Sequence, residues 1–430
     1  MTGTARLAEL AASVGPGWVH IGAVASVADD AGLAVWAVGG AVRDLLLGRP
    51  IHDVDLVVEG DAVALAEALV RRHGGRHVRH GEFGTAKWSP GPGEPVVDLA
   101  SARTETYAGP ASLPSVSSSD IHADLARRDF TINAMALGVS EAVADVLLDP
   151  HGGGADLIAG QLRALHAGSF VDDPTRGLRA ARFASRFGMS LVPETAGWLV
   201  DAMDAGAFSS LGLERLGAEL ERVLGEADPL RCLQLLAAWG VPTGWEAFDF
   251  EPTTPVARHL VRVDAACAEW RAWAPGLPVE PRDLRWMVLS DVLTPEQRRA
   301  RVRLVSGGRA RQALFLAGLN TARAVAACLD GVPQGQAGHV LRPLDPATLS
   351  AVALVGTGTA RTRVAWWGRE GRVVRLAVDG RDLLRAGVPR GPAVGRALTA
   401  AWGVAWEGGG RSAQLEAARA AAAETPTPLP

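Results

Sequence analysis

The chain has 430 residues, of which 48% are hydrophobic, and its formal net charge at pH 7 is −4. This length exceeds one ordinary hydrophobic core and predicts two to four domains. The weakly acidic balance argues against a protein coated in positive charge, although it leaves room for a local basic groove. No apolar run is long enough to cross a membrane, and the first residues lack a signal peptide's apolar segment, so we expect a cytoplasmic protein. The three cysteines lie far apart, which predicts buried thiols at Cys232, Cys267 and Cys328.

The most informative stretch is 37–60, which reads AVGGAVRDLLLGRPIHDVDLVVEG. Asp53 and Asp55 occupy alternate positions of an apolar run, so in a strand their side chains would share one face. Two adjacent carboxylates repel each other unless a cation lies between them, which makes Mg²⁺ the natural partner. A turn at Gly39 and Gly40 that enters a helix offers backbone N–H groups to phosphate. Each motif alone is more often a polar strand or a plain turn, but together they predict a nucleoside triphosphate held with metal.

Strands and helices alternate after this stretch. Asp61 is a suitable N-cap for a helix that ends at the glycine pair 74–75. Three strand-like segments follow, RHVRH, GTAKWSP and PVVDLASA, and the alternation predicts a small mixed α/β sheet. Asp98 lies between apolar residues of the third segment, so it is either a third acid beside Asp53 and Asp55 or an edge-strand carboxylate.

The region 103–119 reads RTETYAGPASLPSVSSS and is rich in Pro, Gly and Ser. This composition predicts a long loop, and long loops within compact domains are usually functional or disordered. A helix ending in RRDF and a strand at FTINAMALGVS are predicted next. A charge run at their junction usually marks a solvated helix end; here it consists of Arg127, Arg128 and Asp129.

Helical spacing dominates from Phe170 onwards. Arg176, Arg179 and Arg182 recur every three residues and therefore line one flank of a helix. Farther along, intrahelical ion pairs are predicted among Glu214, Arg215, Glu219 and Arg222. The densest basic cluster fits either an RNA backbone or, more commonly, a solvated helix face; it comprises Arg298, Arg299, Arg301, Arg303, Arg309 and Arg311.

Five ordered motifs resemble a known family, the class II tRNA nucleotidyltransferases and the bacterial poly(A) polymerases that share their head and neck. The motifs are GGAVRD at 39–44, DVD at 53–55, RRDFTINAMA at 127–136, DPHGGGADL at 149–157 and DDPTRGLRAARF at 172–183. The resemblance covers the first half, with a weaker echo at 379–398. It implies an α/β nucleotidyltransferase head of the polymerase-beta-like type with a mixed sheet, followed by an all-α neck, body and tail. The implied boundaries are a catalytic head at 1–150, a base-recognising neck at 151–240, a body at 241–345 and a tRNA-contacting tail at 346–430.

The resemblance also implies a role for each matching side chain. Triphosphate binding falls to Gly39, Gly40 and Arg43, and binding of two Mg²⁺ ions falls to Asp53 and Asp55. Ribose recognition falls to Arg128 and Asp129, and base recognition falls to Asp173 and Arg176. Supporting roles fall to Asp172, Arg179 and Arg182. Where the family commonly has Glu, this chain has Asp172.

These roles favour an enzyme that builds or repairs the CCA end of tRNA from CTP and ATP. The alternatives are the A-adding or CC-adding partner of a split system, a poly(A) polymerase and a noncatalytic RNA-binding relative. The long region 103–119, with Arg103 and Glu105 as a basic and acidic pair, disfavours CC-only addition. A tail without strong positive charge disfavours the poly(A) polymerase. The presence of both Asp53 and Asp55 disfavours the noncatalytic relative.

Overall fold

The computed structural model describes residues 3–14, 18–51, 53–80, 84–109, 111–112, 114–244 and 250–423. Residues 110 and 113 of the predicted loop, and 424–430 of the predicted tail, lie outside the described residues. The chain forms two compact units, one made of residues 1–215 and 235–243 and the other of residues 216–234 and 244–430. The finer division into head, neck, body and tail stays a prediction.

The first unit contains all the strands that the described residues form. They are β1 (Val35–Val38), β2 (Asp55–Val58), β3 (Arg76–His80), β4 (Thr85–Ser89), β5 (Val97–Ser101), β6 (Arg103–Thr106), β7 (Ser115–Ser118), β8 (Ala136–Gly138), β9 (Leu147–Leu148), β10 (Gln161–Leu162) and β11 (Ser190–Leu191). Its helices are α1 (Gly3–Val14), α2 (Trp18–Asp30), α3 (Gly40–Leu46), α4 (Ala62–His73), α5 (Ile121–Ala126), α6 (Gly153–Ala159), α7 (Ser169–Asp172), α8 (Thr175–Phe187) and α9 (Pro193–Asp204). Helices α10 (Leu213–Val223) and α11 (Pro229–Ala238) follow and contribute residues to both units.

Seven strands form the main sheet in the order β3-β4-β5-β2-β1-β8-β9. Strands β2 and β5 are parallel, whereas the other neighbouring pairs are antiparallel. The predicted mixed sheet is therefore confirmed. Smaller two-stranded sheets pair β6 with β7 and β10 with β11.

Helices pack on both faces of this sheet. Strand β1 is buried along its whole length. Helix α4 packs on β4 and β5. Asp61 caps the first turn of α4 by accepting from two backbone N–H groups. The helix ends at Gly74, whose φ of 76° suits glycine. On the opposite face, Ile121 and Leu125 of α5 join Trp36 and other strand residues in a buried cluster. The helix α5 therefore covers the sheet face that carries Asp55.

Two sequence-based predictions about the first unit were wrong. The region 103–119 is not a plain loop, because β6 and β7 form an antiparallel hairpin in which Arg103 pairs with Ser118. Its Ser and Thr content concealed strands that are held by backbone pairing with each other. The segment FTINAMALGVS is only partly a strand, since a 3₁₀ turn at Thr131–Asn133 precedes β8.

The second unit is helical in all its described residues that lie in regular structure. Its helices are α12 (Pro255–Trp273), α13 (Pro281–Asp291), α14 (Pro295–Arg301), α15 (Arg309–Ala317), α16 (Asn320–Cys328), α17 (Gln334–Leu341), α18 (Pro346–Val355), α19 (Gly358–Arg369), α20 (Gly380–Arg385), α21 (Pro392–Trp406) and α22 (Arg411–Ala423). The buried Trp270 and Trp286 lie in its core. The predicted helical character is confirmed. In the part of the chain that the structure describes, no helix has the length and apolar character needed to cross a membrane.

The basic cluster at 298–311 is only in part the solvated face that its charge pattern favours: Arg299, Arg303 and Arg309 are exposed, whereas Arg298 and Arg311 are not. Arg298 is 4% exposed and donates to the carbonyl oxygens of Ser290 and three other residues. Arg311 forms ion pairs with Glu221 and Asp283. These guanidinium groups satisfy buried acceptors of the helical unit and are structural. Cys328 is also an exception to prediction, because its thiol is exposed whereas Cys232 and Cys267 are buried.

Candidate active site

A cavity of about 410 Å³ in the first unit gathers most of the predicted site residues. Its lining comprises Gly39, Gly40, Arg43, Asp55, Glu105, Tyr107, Arg127, Arg128, Asp129, Asn133, Asp173, Arg176, Arg179 and Phe183. We call this space the central cavity. Three predicted residues do not line it, namely Asp53, Asp172 and Arg182, and neither does the possible third acid Asp98.

The turn from β1 into α3 forms one wall. Gly39 has φ of 64°, and a Cβ at this position would lie 2.8 Å from Nη1 of Arg128. Only glycine therefore permits both this backbone conformation and the approach of the guanidinium. Arg43 on α3 is 5% exposed and donates to Asn133 Oδ1 at 2.7 Å and to Asp44. Burial lowers the pKa of Arg43, while Asp44 opposes that effect.

Asp55 is the first residue of β2 and brings its carboxylate to the cavity. Burial raises the pKa of Asp55, and the charges of Asp98 and Asp53 raise it further. Asp53 lies in the loop before the strand, so strand alternation does not fix the direction of its side chain. The two carboxylates are nevertheless close enough to interact, and their excess negative charge fits a bound cation.

Asp129 and Arg128 come from the turn after α5. Asp129 Oδ2 accepts from Arg179 Nε and Nη2 at 2.9 and 2.6 Å, and its Oδ1 accepts from Asn133 at 3.0 Å. Burial raises the pKa of Asp129, but Arg179 and Asn133 outweigh it and the net pKa lies below the usual value. Arg128 donates to Asp124 at 2.9 Å. The buried Nε of Arg128 has no hydrogen-bond partner among the described residues, and the residue lines the cavity.

The predicted base-recognition pair lies at the start of α8. Arg176 is 5% exposed and donates to Ser169 Oγ at 2.9 Å and to the Arg127 carbonyl at 2.8 Å. Asp173 Oδ1 accepts from the backbone N–H and the hydroxyl of Thr175 and from Arg215 Nη2 at 2.9 Å. No donor among the described residues contacts Asp173 Oδ2. One oxygen of this carboxylate is therefore anchored, and the other is available to a ligand.

Arg215 corrects a prediction. The sequence places it among intrahelical ion pairs of α10, but its guanidinium pairs with Asp173 and donates to the Ala111 carbonyl at 2.7 Å. Glu219 and Arg222 do form the predicted pair within the helix. A residue 42 positions away was not a visible partner for Arg215, because helical spacing reports only neighbours on the same helix.

The hairpin of β6 and β7 supplies a further network to the cavity. Glu105 accepts from Arg103, which confirms the predicted pair, and also from Arg127 and the hydroxyl of Tyr107, each at 2.8 Å. Burial raises the pKa of Tyr107 to about 12, and Glu105 adds to the shift. Tyr107 is the only tyrosine of the chain. Sequence reasoning missed it, although its spacing from Arg103 and Glu105 places the three on alternate positions.

The predicted supporting residues have different positions. Arg179 lines the cavity and holds Asp129. Asp172 lines an adjoining cavity of about 290 Å³ and lies 3.9 Å from His166 Nε2. Asn133 was missed as a site residue, yet it bridges Arg43 and Asp129. Its place within the RRDFTINAMA motif was the available clue.

Comparisons with known proteins identify the family of this chain. The family described as the Poly A polymerase head domain matches residues 35–163. An A-adding tRNA nucleotidyltransferase from Halalkalibacterium halodurans is 43% identical over 232 residues, which are 53% of this chain and 53% of that relative. The chain thus spans about a quarter to a half of the length of the A-adding relatives that it matches.

Two further matches extend over nearly the whole chain. A CC-adding tRNA nucleotidyltransferase from Deinococcus radiodurans is 33% identical over 380 residues, which are 88% of this chain and 86% of that relative. A solved structure of a CCA-adding enzyme in an apo form has 28% sequence identity and a TM-score of 0.79, and the match covers 96% of this chain and 97% of that one. The chain therefore belongs to the tRNA nucleotidyltransferase family, which carries the Poly A polymerase head domain.

Proposed function

We propose that this protein adds or repairs the 3′-terminal CCA of tRNA, using CTP and ATP without a nucleic-acid template and releasing pyrophosphate. The observation that carries the proposal is the position of Asp173 and Arg176 in the same cavity as Asp55, Asp129 and the glycine turn. This arrangement joins nucleotide choice and phosphoryl chemistry in one space. The names of the similar proteins, which include A-adding and CC-adding tRNA nucleotidyltransferases, support the substrate.

Base choice follows from the hydrogen-bonding pattern of the pair. Cytosine and adenine both present an amine donor beside a ring-nitrogen acceptor, whereas uracil and guanine present the reverse pattern. The available Oδ2 of Asp173 accepts from the amine, and the Arg176 guanidinium donates to the ring nitrogen. The pair therefore suits C and A and opposes U and G, so protein side chains perform the role of a template.

The ribose and the triphosphate have matching partners. Asp129 is fixed by Arg179 and Asn133, so its carboxylate is held still for the 2′-hydroxyl of the incoming nucleotide. Arg128 lines the same cavity and is a second donor for the same sugar. The close backbone at Gly39 and Gly40 admits the phosphates. Arg43 is already engaged by Asp44 and Asn133, so it orders this wall and supplies positive charge to it.

The carboxylates Asp53 and Asp55 fit a magnesium site. Burial, and then the charges of Asp98 and Asp53, raise the pKa of Asp55, and a cation beside these acids would favour its ionised form. Among the described residues, no three His, Cys, Asp or Glu side chains are grouped to hold a metal by themselves. That composition suits Mg²⁺, which is commonly held by one or two carboxylates together with substrate phosphates. Two bound Mg²⁺ ions would favour ionisation of the acceptor's 3′-hydroxyl and neutralise charge on the departing pyrophosphate. The cytoplasmic location stays a prediction from the sequence.

One assay distinguishes this function from its alternatives. Purified protein is given tRNAs that lack all of CCA, lack only the final A, or lack nothing, and also unstructured RNA, with each nucleotide in turn. We expect C to be added to the tRNA that lacks all of CCA, A to be added to the tRNA that lacks only the final A, and nothing to be added to the complete tRNA. Addition of A alone, or of C alone, would replace the proposal by one half of a split system. Long A tails on any RNA would replace it by a poly(A) polymerase.

The site assignment has its own test. We expect Asp53→Ala to abolish incorporation while tRNA binding is retained, and Arg176→Ala to weaken discrimination against U and G more than it weakens RNA affinity. Glu67→Ala on the exposed face of α4 is the control and leaves both properties unchanged. Full activity of Asp53→Ala would contradict the metal assignment, and unchanged base selectivity of Arg176→Ala would contradict the base-reading role.

A further inference from the structure

A row of polar residues crosses the main sheet and ends at Asp55. Lys87 of β4 is paired with Asp98 of β5, and Asp98 is paired in turn with Asp55 of β2. Residues directly opposite each other on neighbouring strands point to the same face. Strands lie about 4.8 Å apart, so Lys87 starts roughly 10 Å from the backbone of Asp55. All three side chains therefore lie on the face of the sheet that performs the chemistry.

Lys87 binds both oxygens of Asp98. Its Nζ lies 2.7 Å from Oδ1 and 3.0 Å from Oδ2, and the side chains are 46% and 43% exposed. The ammonium thus neutralises the acid that the sequence offered as a third metal ligand. Lys87 is also the only lysine of the chain, beside 42 arginines.

The pair borders a second cavity of about 480 Å³. This second cavity shares Asp55, Arg127 and Arg128 with the central cavity, but none of its lining residues belongs to the glycine turn or to the base-reading pair. Its volume lies in the range of pockets that hold small ligands. Two spaces therefore meet at Asp55, and only the central cavity has the glycine turn, Asp129 and the base-reading pair.

Nucleotidyl transfer brings two substrates together, the incoming nucleotide and the acceptor. The acceptor's 3′ oxygen forms a bond to the α-phosphorus, the bond from that phosphorus to the pyrophosphate oxygen breaks, and the hydroxyl proton passes to solvent. The attacking and leaving oxygens lie roughly in line, so the two substrates approach the acid from different sides. With the nucleotide in the central cavity, the second cavity is the space left for the acceptor.

We propose that the second cavity holds the terminal nucleotide of the acceptor RNA and that Lys87 binds its phosphodiester while still paired with Asp98. An ammonium has three N–H donors, so two contacts to Asp98 leave one for a phosphate oxygen. Asp98 is then a positioning residue for Lys87 and not a metal ligand. The inference rests on the proposed function, because it assigns the second substrate of the same reaction.

The kinetic test replaces Lys87 by Met, which keeps its length, and by Arg, which keeps its charge. We expect Lys87→Met to raise the KM for tRNA that lacks only the final A by about tenfold, with the KM for ATP unchanged. The slope of log KM for tRNA against log salt concentration falls by about one. Lys87→Arg restores most of the affinity. Arg79→Met is the matched control, because Arg79 is exposed on β3 and paired with the buried Ala86 of the opposite face.

A covalent test uses the single lysine. Periodate converts the terminal ribose of tRNA to a dialdehyde, which condenses with an amine with loss of water and is fixed by borohydride reduction. We expect the modified peptide to contain Lys87, and we expect Lys87→Arg to abolish the adduct while it still adds nucleotides. If the Lys87→Arg protein gave an adduct of equal yield, the dialdehyde would have reacted with the chain's terminal amine and the assignment would be overturned. This test does not depend on the folding of Lys87→Met.

Magnesium dependence tests the place of Asp98. We expect Asp98→Asn to leave the Mg²⁺ concentration for half-maximal activity within about twofold of the unmodified protein, whereas Asp53→Asn raises it strongly. An equal rise for both variants would make Asp98 a metal ligand and refute the inference. If the unmodified protein adds no nucleotide to any tRNA, the proposed function fails. If it adds nucleotides and Lys87→Met leaves the tRNA KM unchanged, only this inference fails.

Discussion

Arg215 contacts both the hairpin and Asp173, the carboxylate that we propose reads the base. Its Nη2 lies 2.9 Å from Asp173 Oδ1, and its Nη1 lies 2.7 Å from the Ala111 carbonyl. Ala111 has φ of 56°, an unfavourable conformation for alanine. We predict that Arg215→Met weakens nucleotide selectivity, because Asp173 then keeps only its two contacts with Thr175 and its second oxygen is less firmly oriented.

The size of the effect follows from the lost contacts. A hydrogen bond to a charged group contributes about 1.5–3 kcal/mol. The side chains of Arg215 and Asp173 are 36% and 24% exposed, so solvent screening reduces this contribution to about 1 kcal/mol. That free energy corresponds to roughly a fivefold loss in the ratio of kcat/KM for the correct nucleotide over UTP.

The assay measures kcat/KM for CTP, ATP and UTP on the same truncated tRNA. Arg222→Met is the control, because Arg222 lies on the same helix and its ion pair, with Glu219, is within that helix. We expect the control to keep the selectivity of the unmodified protein. If Arg215→Met kept both the nucleotide selectivity and the melting temperature of the unmodified protein, the argument that this guanidinium orients Asp173 would be refuted.

Two further predictions concern the walls of the central cavity. Gly39→Ala places a Cβ against Arg128 and should lower incorporation by about tenfold or more, whereas Gly48→Ala, at a similar φ of 62° with no atom within 4 Å, keeps incorporation near that of the unmodified protein. Asp129→Asn should lower the free energy of unfolding by about 2 kcal/mol at pH 7, as measured by urea denaturation. Arg179 and Asn133 hold the pKa of Asp129 below its usual value of 3.8. The difference in unfolding free energy between the unmodified protein and Asp129→Asn is therefore largest above that pH, and it shrinks as the pH falls towards the lower pKa of the folded state. A difference that is constant down to pH 2 would show that the charge of Asp129 contributes nothing.

The elements that sequence predicted well are those governed by short-range physics. The cap at Asp61 and the glycine at the end of α4 are consequences of neighbouring backbone groups, and both were found where expected. The buried strand β1 is a continuous apolar run. The motif at 39–55 was recognisable because glycine and paired acids are needed within one short stretch, whatever the rest of the chain does.

The features that sequence missed depend on partners that are distant along the chain. The strands β6 and β7 carry polar residues and form because they pair with each other. Arg298 lies in a run that resembles a solvated face, yet carbonyl groups from other helices surround it. Asp98 was ambiguous for the same reason, since only the sheet register reveals that Lys87 binds it. Charge alone does not show whether a side chain faces water or a buried acceptor.

Arg215 is the clearest case, and a double-mutant cycle with Asp173 completes its test. If the two side chains act through their contact, Arg215→Met has little further effect on selectivity once Asp173→Asn has removed the charge that it binds. If Arg215 acts only through the Ala111 carbonyl, the two effects add. The cycle therefore separates the two ends of one guanidinium, which no single substitution does, and it places base choice either in the carboxylate's orientation or in the position of the hairpin.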